Sequence, residues 1–300
     1  MNQTILQPGV YVANLTPLTP DLLPDIPLLI SHLKHLLNKG AQGIALLGTT
    51  GEANSFSLQE RMDLISAVVD AGIPPDRLMV GTGCCAWTDT VTLTSHAVDS
   101  GISSILMLPP FYYKQVNEQG LFNYFQRVIE GVAADRIEIY LYHFPKMTGL
   151  DFSLPLIDRL LRAYPGQIVG MKDSSGDLEH GKLICSQFPD LKVFAGTEKY
   201  LLDLLRAGGS GCISATANVT IEKCAEVFQH QQSPEVDRLQ AEATAQRQVF
   251  EGLPFVSILK QYLATTTGNE QWLNVRPPNA LVAEDLVRHV VEQLTALSGT

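Results

Sequence analysis

Eight short apolar runs recur along the first two thirds of the chain, and longer stretches with a helical period separate them. The runs are continuously apolar rather than alternating, which is typical of strands that helices cover on both faces. They are Val10–Leu15, Gly43–Gly48, Leu78–Gly83, Ser104–Pro109, Ile137–Phe144, Gln167–Asp173, Lys192–Thr197 and Gly211–Ala217. Because strand–helix units repeat eight times, the pattern predicts an α/β fold, a closed (β/α)8 TIM barrel.

The intervening segments carry start and stop signals of helices. Ser57 precedes an apolar stripe, and Glu60 follows three residues later, which is the capping-box pattern of a helix start. Glycines fall where four of the helices are expected to end, namely Gly40, Gly72, Gly101 and Gly208.

The last part of the chain has no further strand signal. We predict a catalytic barrel over residues 1–230 and a helical appendage over residues 231–300. In the appendage, a cap at Ser233–Pro234 precedes a helix from Val236 to about Thr266, and a second helix covers Ala280–Leu297. Asn274–Leu281 is a proline-stiffened connector, and the appendage is a candidate oligomer contact.

Composition limits the classes of partner that we expect the protein to bind. The chain has 300 residues, of which 45% are hydrophobic and 17% charged, and its net charge is -10. Because it is acidic and has no basic block, nucleic acid and anionic membranes are poor partners. No apolar run is long enough to cross a bilayer, and the first residues lack the pattern of a secretory signal.

The cysteines and histidines predict neither a disulfide framework nor a metal site. The five cysteines form no CxxC pair, and the seven histidines form no HxH or HxxxH arrangement. An odd number of cysteines, two of them adjacent, fits reduced thiols and a cytoplasmic location.

Lys172 is the most unusual residue of the predicted strands, because it ends an apolar run that reads as buried. Active sites of barrels lie at the carboxyl ends of the strands, which is where Lys172 falls. Burial against Val169 and Met171 disfavours an ammonium and favours a neutral amine. A neutral amine forms a Schiff base with a carbonyl substrate, and the iminium then lets an adjacent carbon–carbon bond break or form. This chemistry needs neither a metal nor an organic cofactor.

The residues alone leave a structural alternative open at each position. Lys172 also fits a buried ion pair with Asp173 or Glu198. Tyr142 also fits a core aromatic, and Thr49 and Thr50 also fit a simple strand–helix turn. The tyrosine pair Tyr112–Tyr113 also fits ordinary packing. The combination is more specific than any member, because all of these residues map to one rim of the predicted barrel.

Six segments, in order along nearly the whole chain, resemble the dihydrodipicolinate synthase / N-acetylneuraminate lyase superfamily. They are GTTGE (Gly48–Glu52), Tyr112–Tyr113, YHFPKMTG (Tyr142–Gly149), GMKDSSGD (Gly170–Asp177), FAGTE (Phe194–Glu198) and GCISATAN (Gly211–Asn218). The resemblance implies a class I pyruvate aldolase on a (β/α)8 barrel with a C-terminal helical extension. It also implies a homo-oligomer, commonly a tetramer.

The resemblance implies roles for matching positions. Lys172 would form the Schiff base with pyruvate or another 2-keto acid, and Tyr142 would relay protons there. Thr49 would link Tyr142 to Tyr113, which in relatives reaches across from a neighbouring subunit. Thr49 and Thr50 would hold the keto-acid carboxylate. Backbone groups would line the pocket at Gly196 and Ile213.

The fifth-strand motif departs from that of the synthases that use aspartate semialdehyde. They carry an arginine at the position of Met147, where it binds the second substrate's carboxylate, and a thioether cannot form that ion pair. Lys146 is adjacent, but neighbours on an extended segment point to opposite sides. His143 also replaces the usual asparagine.

We therefore expect an aldolase for a 2-keto-3-deoxy-sugar acid or a 4-hydroxy-2-oxoglutarate-type substrate. One alternative is a dihydrodipicolinate synthase in which Lys146 or another cation replaces the arginine. The other is a barrel that binds a keto acid without turnover.

Overall fold

The computed structural model describes residues 6–134 and 136–298. The strands are β1 (Gly9–Val12), β2 (Gly43–Leu46), β3 (Leu78–Gly81), β4 (Ser104–Met107), β5 (Glu138–His143), β6 (Ile168–Asp173), β7 (Lys192–Ala195) and β8 (Gly211–Ser214). They are parallel and close into a barrel in the order of the sequence. The predicted TIM barrel is confirmed.

Helices alternate with the strands and continue after them. They are α1 (Ile26–Asn38), α2 (Leu58–Asp70), α3 (Trp87–Asp99), α4 (Glu118–Val132), α5 (Pro145–Thr148), α6 (Leu154–Ala163), α7 (Leu178–Gln187), α8 (Leu201–Arg206), α9 (Ala217–Gln229), α10 (Val236–Gln248), α11 (Phe255–Thr267) and α12 (Glu284–Ser298). α5 is a single turn at the rim. The others surround the barrel or form the appendage after it.

The predicted helix signals act as expected. The Ser57 hydroxyl accepts the Glu60 N–H, and the Glu60 carboxylate accepts the Ser57 N–H at 2.8 Å, so the capping box starts α2. Positive φ angles occur at the glycines that follow α1, α2, α3 and α8, namely Gly40, Gly72, Gly101 and Gly208.

Large side chains fill the inside of the barrel. Tyr11, Tyr140, Phe194 and Ile213 are at most 1% exposed and belong to one buried cluster. The rings of Tyr11 and Phe194 meet edge to face with centroids 5.6 Å apart. The interior is therefore a packed core, which leaves the rim for binding.

The appendage differs from its prediction. The single helix expected from Val236 to about Thr266 is wrong, because the chain breaks between α10 and α11. Gly252 has a φ of 76°, which a helix does not allow. Pro254 is the N-cap of α11, a position whose N–H makes no hydrogen bond within the helix, so proline is tolerated there. The helix expected over Ala280–Leu297 begins later, at Glu284.

The appendage packs directly on the barrel. Leu15, which follows β1, shares a buried cluster with Ile258 of α11, Trp272 and Val290 of α12. The division at residue 230 falls between α9 and α10. Whether the two parts are separate domains stays a prediction.

No helix in the described residues has both the length and the hydropathy to cross a membrane. All five cysteines lie in the described part of the chain and are free thiols.

Candidate active site

A cavity of about 880 Å³ opens at the carboxyl end of the barrel, partly covered by the appendage. Most of the predicted site residues line it, namely Thr49, Thr50, Tyr142, Met147, Lys172 and Gly196. Tyr113 and Ile213 lie outside its wall. The fold therefore gathers residues from distant parts of the sequence at the rim where barrels carry their chemistry.

Lys172 and Tyr142 face each other across two neighbouring strands. They are direct partners in the register of β5 and β6. The Lys172 amine donates to the Tyr142 hydroxyl over 3.3 Å, and Nζ lies 4.4 Å from the centre of the phenol ring. Lys172 is 5% exposed and Tyr142 is 4% exposed. The amine is thus buried, faces a cavity and contacts a phenol hydroxyl.

No carboxylate of the described residues forms an ion pair with Lys172. The alternative interpretation, in which Lys172 belongs to a buried ion pair with Asp173 or Glu198, therefore lacks its partner. Asp173 accepts hydrogen bonds from His180 and from the Ser175 N–H. Glu198 is fully buried and accepts the hydroxyls of Ser214, Thr216 and Thr220. Both candidate carboxylates therefore form hydrogen bonds with groups other than Lys172.

Two histidines behind the site have opposite electrostatic environments. Burial lowers the pKa of His143. The hydrogen bond with Asp173 raises the pKa of His180. Burial alone would raise the pKa of Asp173, but the bonds from His180 and Ser175 outweigh it and hold that pKa below its ordinary value.

The turn that contains Thr49 and Thr50 continues into Glu52, whose side chain contacts the appendage. Glu52 lies in the left-handed region with a φ of 59°, and its side chain is fully buried. Its carboxylate pairs with Lys260 of α11 and accepts the Arg276 N–H at 2.9 Å. The appendage therefore fixes the turn that carries both threonines.

Gly196 allows β6 and β7 to approach closely at the rim. A Cβ at this position would lie 2.2 Å from the Ser174 hydroxyl and 2.8 Å from the Asp173 carbonyl. The Gly196 N–H donates to that carbonyl over 2.6 Å, so its own carbonyl is the backbone group left for a ligand. Ile213 lies deeper, in the interior core, and Ser214 and the next residue line the cavity instead.

Tyr113 lies at the surface in the loop between β4 and α4. It is 72% exposed, and its ring meets Tyr112 edge to face with centroids 5.3 Å apart. Within one chain it lies outside the wall of the cavity. Its predicted role therefore requires a neighbouring subunit, and its link to Thr49 stays a prediction.

The segment after β5 is not extended, so the geometric argument against Lys146 was wrong. Pro145 starts the helical turn α5, the Thr148 hydroxyl donates to the Phe144 carbonyl, and the turn ends at Gly149 with a φ of 65°. Both Lys146 and Met147 line the cavity, and Met147 is 60% exposed.

Part of the cavity wall comes from the appendage, and the sequence did not predict it. Arg247 of α10 lines the cavity, lies 3.6 Å from Glu198 and places its guanidinium over the ring of Phe255. These residues carry no motif of their own. Only the packing of α10 and α11 on the rim brings them to the site.

Comparison with known proteins gives the same relationship along nearly the whole chain. The model of the "Dihydrodipicolinate synthetase family" matches residues 7–297. An uncharacterised DapA-like lyase of Chloroflexus aurantiacus is 36% identical over 86% of this chain and 87% of its own.

Two solved structures extend the relationship to the fold. Dihydrodipicolinate synthase from Agrobacterium tumefaciens superimposes with a TM-score of 0.87 at 31% identity, covering 96% of this chain and 99% of its own. A prophage protein of the same family from Escherichia coli K12, solved with pyruvate, has a TM-score of 0.88 at 25% identity over 98% and 99%. The chain therefore belongs to the dihydrodipicolinate synthetase family of class I, pyruvate-dependent aldolases and lyases.

Proposed function

We propose that the protein is a class I aldolase whose Lys172 forms a Schiff base with pyruvate or with a longer 2-keto acid. The observation that carries this proposal is the environment of Lys172. It is a buried amine that faces a cavity, contacts a tyrosine hydroxyl at 3.3 Å and has no carboxylate partner in the described residues. The related Escherichia coli protein, which was solved with pyruvate, supports the same substrate.

The residues suit each step of the reaction. The neutral amine of Lys172 attacks the keto carbon, and the Tyr142 hydroxyl moves protons as the carbinolamine forms and loses water. In the cleavage direction, the C4 hydroxyl of the bound 2-keto acid gives its proton to the Tyr142 oxygen as the C3–C4 bond breaks, the electrons of that bond enter the iminium and form an enamine, and an aldehyde leaves. Protonation and hydrolysis then release pyruvate and restore the amine.

The remaining predicted residues bind and orient the substrate. Thr49 and Thr50 provide hydroxyls and amides for the keto-acid carboxylate, at a turn that Glu52 holds in place. Gly196 lines the same cavity, and we expect its carbonyl to face the reacting centre. Tyr113 completes the proton relay from a neighbouring subunit, which makes a homo-oligomer part of the proposal. A cytoplasmic location is also part of it.

The preferred substrate is a 2-keto-3-deoxy-sugar acid or a 4-hydroxy-2-oxoglutarate-type acid. Met147 stands where the aspartate-semialdehyde synthases carry an arginine, and a thioether offers no ion pair to a carboxylate. A cavity of about 880 Å³ accommodates a substrate longer than pyruvate.

A second candidate is dihydrodipicolinate synthase activity that uses Lys146 as the missing cation. Lys146 lines the cavity, and its Nζ lies 2.9 Å from the position that a Cβ on Gly176 would take. An ammonium can pair with a carboxylate as a point charge, without the two-pronged geometry of arginine.

Two assays on one enzyme preparation separate these functions. Pyruvate release from a panel of 2-keto-3-deoxy acids should exceed condensation of pyruvate with aspartate semialdehyde. Robust condensation that Lys146→Met abolishes would establish the second candidate instead. Pyruvate binding by calorimetry without turnover of any substrate would establish a binding protein and contradict the aldolase.

A further inference from the structure

A cluster of two histidines and two carboxylates lies behind the catalytic cavity. His143 and Asp173 directly follow Tyr142 and Lys172 on β5 and β6, and they are partners in the strand register. Because successive side chains of a strand point to opposite faces, they face outward from the barrel, toward α7. Sequence spacing gives no sign of this cluster, because its two histidines are 37 positions apart, at 143 and 180.

Three side chains of the cluster converge. One ligand atom from each of His143, Asp151 and His180 lies within 4.8 Å of the others. The imidazole rings are 4.6 Å apart, and His143 Nε2 lies 3.5 Å from an Asp151 oxygen. Two imidazoles with a carboxylate are a donor set typical of zinc and similar ions, whereas magnesium and calcium prefer oxygen ligands alone.

The fourth group orients the second histidine. His180 Nδ1 contacts an Asp173 oxygen at 2.8 Å, which leaves His180 Nε2 as its atom for a metal ion. A carboxylate that holds the far nitrogen of a ligating histidine is the usual outer partner in zinc sites. Asp173 is held in turn by the Ser175 N–H.

His143 presents one ring nitrogen to the cluster. It is 2% exposed, and the nitrogen that faces Asp151 is Nε2, which makes Nε2 its atom for a metal ion. The other nitrogen, Nδ1, has no hydrogen-bond partner among the described residues. The Asp151 side chain is 73% exposed and is free to close the site.

We propose that His143, His180 and Asp151 bind a divalent transition-metal ion of the zinc class. Tetrahedral coordination brings ligand atoms to about 3.3 Å from one another, so separations of up to 4.8 Å shorten when the ion binds. The exposed Asp151 side chain is free to move, and the stacked imidazole rings turn so that one nitrogen of each points to the ion. Water completes the coordination. The ion touches neither Lys172 nor Tyr142, and it ties α7 and the segment after β5 to the two strand ends that carry them.

The test uses the full chain, freed of metal by a chelator and titrated with Zn²⁺ by calorimetry and with Co²⁺ by visible absorption. We expect one ion per chain and a Co²⁺ spectrum of four-coordinate character. His180→Ala and Asp151→Asn should each weaken Zn²⁺ binding by more than the about 10–100-fold that loss of an outer partner causes, because each removes a direct ligand. Asp151 is exposed, so its variant keeps the test valid if His180→Ala fails to fold.

His230→Ala is the matched control, because His230 is exposed and lies at the end of α9, away from the cluster. It should bind Zn²⁺ like the unaltered chain. Absence of binding, or equal binding by Asp151→Asn and by the unaltered chain, would overturn the proposal. Lys172→Met should abolish turnover while keeping Zn²⁺ binding, which separates this proposal from the aldolase.

Discussion

Two lysines are buried among the described residues, and their surroundings differ completely. Lys260 of α11 is fully buried, pairs with the Glu52 carboxylate and donates to the Asn274 carbonyl at 2.9 Å. Lys172 of β6 is almost as buried, but it faces a cavity and contacts only a neutral hydroxyl among the hydrogen bonds of the described residues. Burial alone therefore does not reveal the role of a lysine.

The two environments differ in what the amine can contact. Burial lowers the pKa of Lys260, while Glu52 opposes that shift and keeps a compensating charge in contact. Lys260 thus connects the appendage to the turn that carries Thr49 and Thr50. Lys172 has a free path to a ligand in the cavity, which is what a nucleophile needs.

The largest expected effect is on turnover in Lys172→Met. Loss of the nucleophile should lower kcat at least about 10⁴-fold, because no other group provides the Schiff base. The free energy of unfolding should stay the same or rise, since methionine fills the site without a buried amine. Steady-state kinetics and urea unfolding measure both. Lys182→Met, on the exposed face of α7, is the control and should change neither.

Lys260→Met should mainly lower the stability of the fold, in contrast to Lys172→Met, which should mainly lower turnover. It leaves the Glu52 carboxylate buried without its cation, which should lower the free energy of unfolding by about 3–5 kcal/mol. The double variant with Glu52→Gln should recover part of that loss, since no buried charge remains uncompensated. A loss below about 1 kcal/mol in the single variant would mean that the ion pair does not stabilise the appendage.

Tyr142→Phe should separate proton transfer from amine capture. Without the hydroxyl, kcat should fall by about 10²–10³-fold, the usual contribution of a positioned acid–base group. The lysine should still capture pyruvate slowly. Tyr140→Phe is the control, because Tyr140 lies on the same strand but inside the packed barrel. Equal rates in the two variants would remove Tyr142 from the mechanism.

The smallest expected effect is on the stability of the fold in acid, and it concerns Glu60 of α2, which pairs with Arg276. The hydrogen bond from Arg276 lowers the pKa of Glu60 from 4.5 to about 2. This carboxylate therefore stabilises the fold above pH 4.5, and the contribution disappears as the pH falls through about 2.

Glu60→Gln tests that contribution and keeps a capping-box residue. It should cost about 1–2 kcal/mol at pH 7, since solvent partly screens the pair, and nothing below pH 2. Urea unfolding at several pH values measures the difference. A cost that is independent of pH would show that packing, rather than the charge, is responsible.

The barrel is predictable from sequence because its signals are local. Each strand is a continuous apolar run, and Ser57 with Glu60 marks a helix start within four residues. Most of the predicted strands extend too far at their carboxyl ends. At Gly43–Gly48 the chain bends directly after β2, where Leu47 has a φ of 57°.

Long-range contacts account for what the sequence does not predict. The Glu52–Lys260 pair joins residues 208 positions apart, and neither residue has a pattern that identifies its partner. Arg247 reaches the cavity through the same packing of the appendage. The position of Lys146 depends on the turn α5, which is too short to show a helical period.

In the proposed mechanism Lys172, and not Lys260, is the amine that captures the keto acid. Borohydride reduction in the presence of pyruvate, followed by peptide mass analysis, tests it most directly. We predict one reduced pyruvate adduct per chain, on the peptide that contains Lys172, and none in Lys172→Met. An unchanged mass, or an adduct that persists in Lys172→Met, would contradict the account.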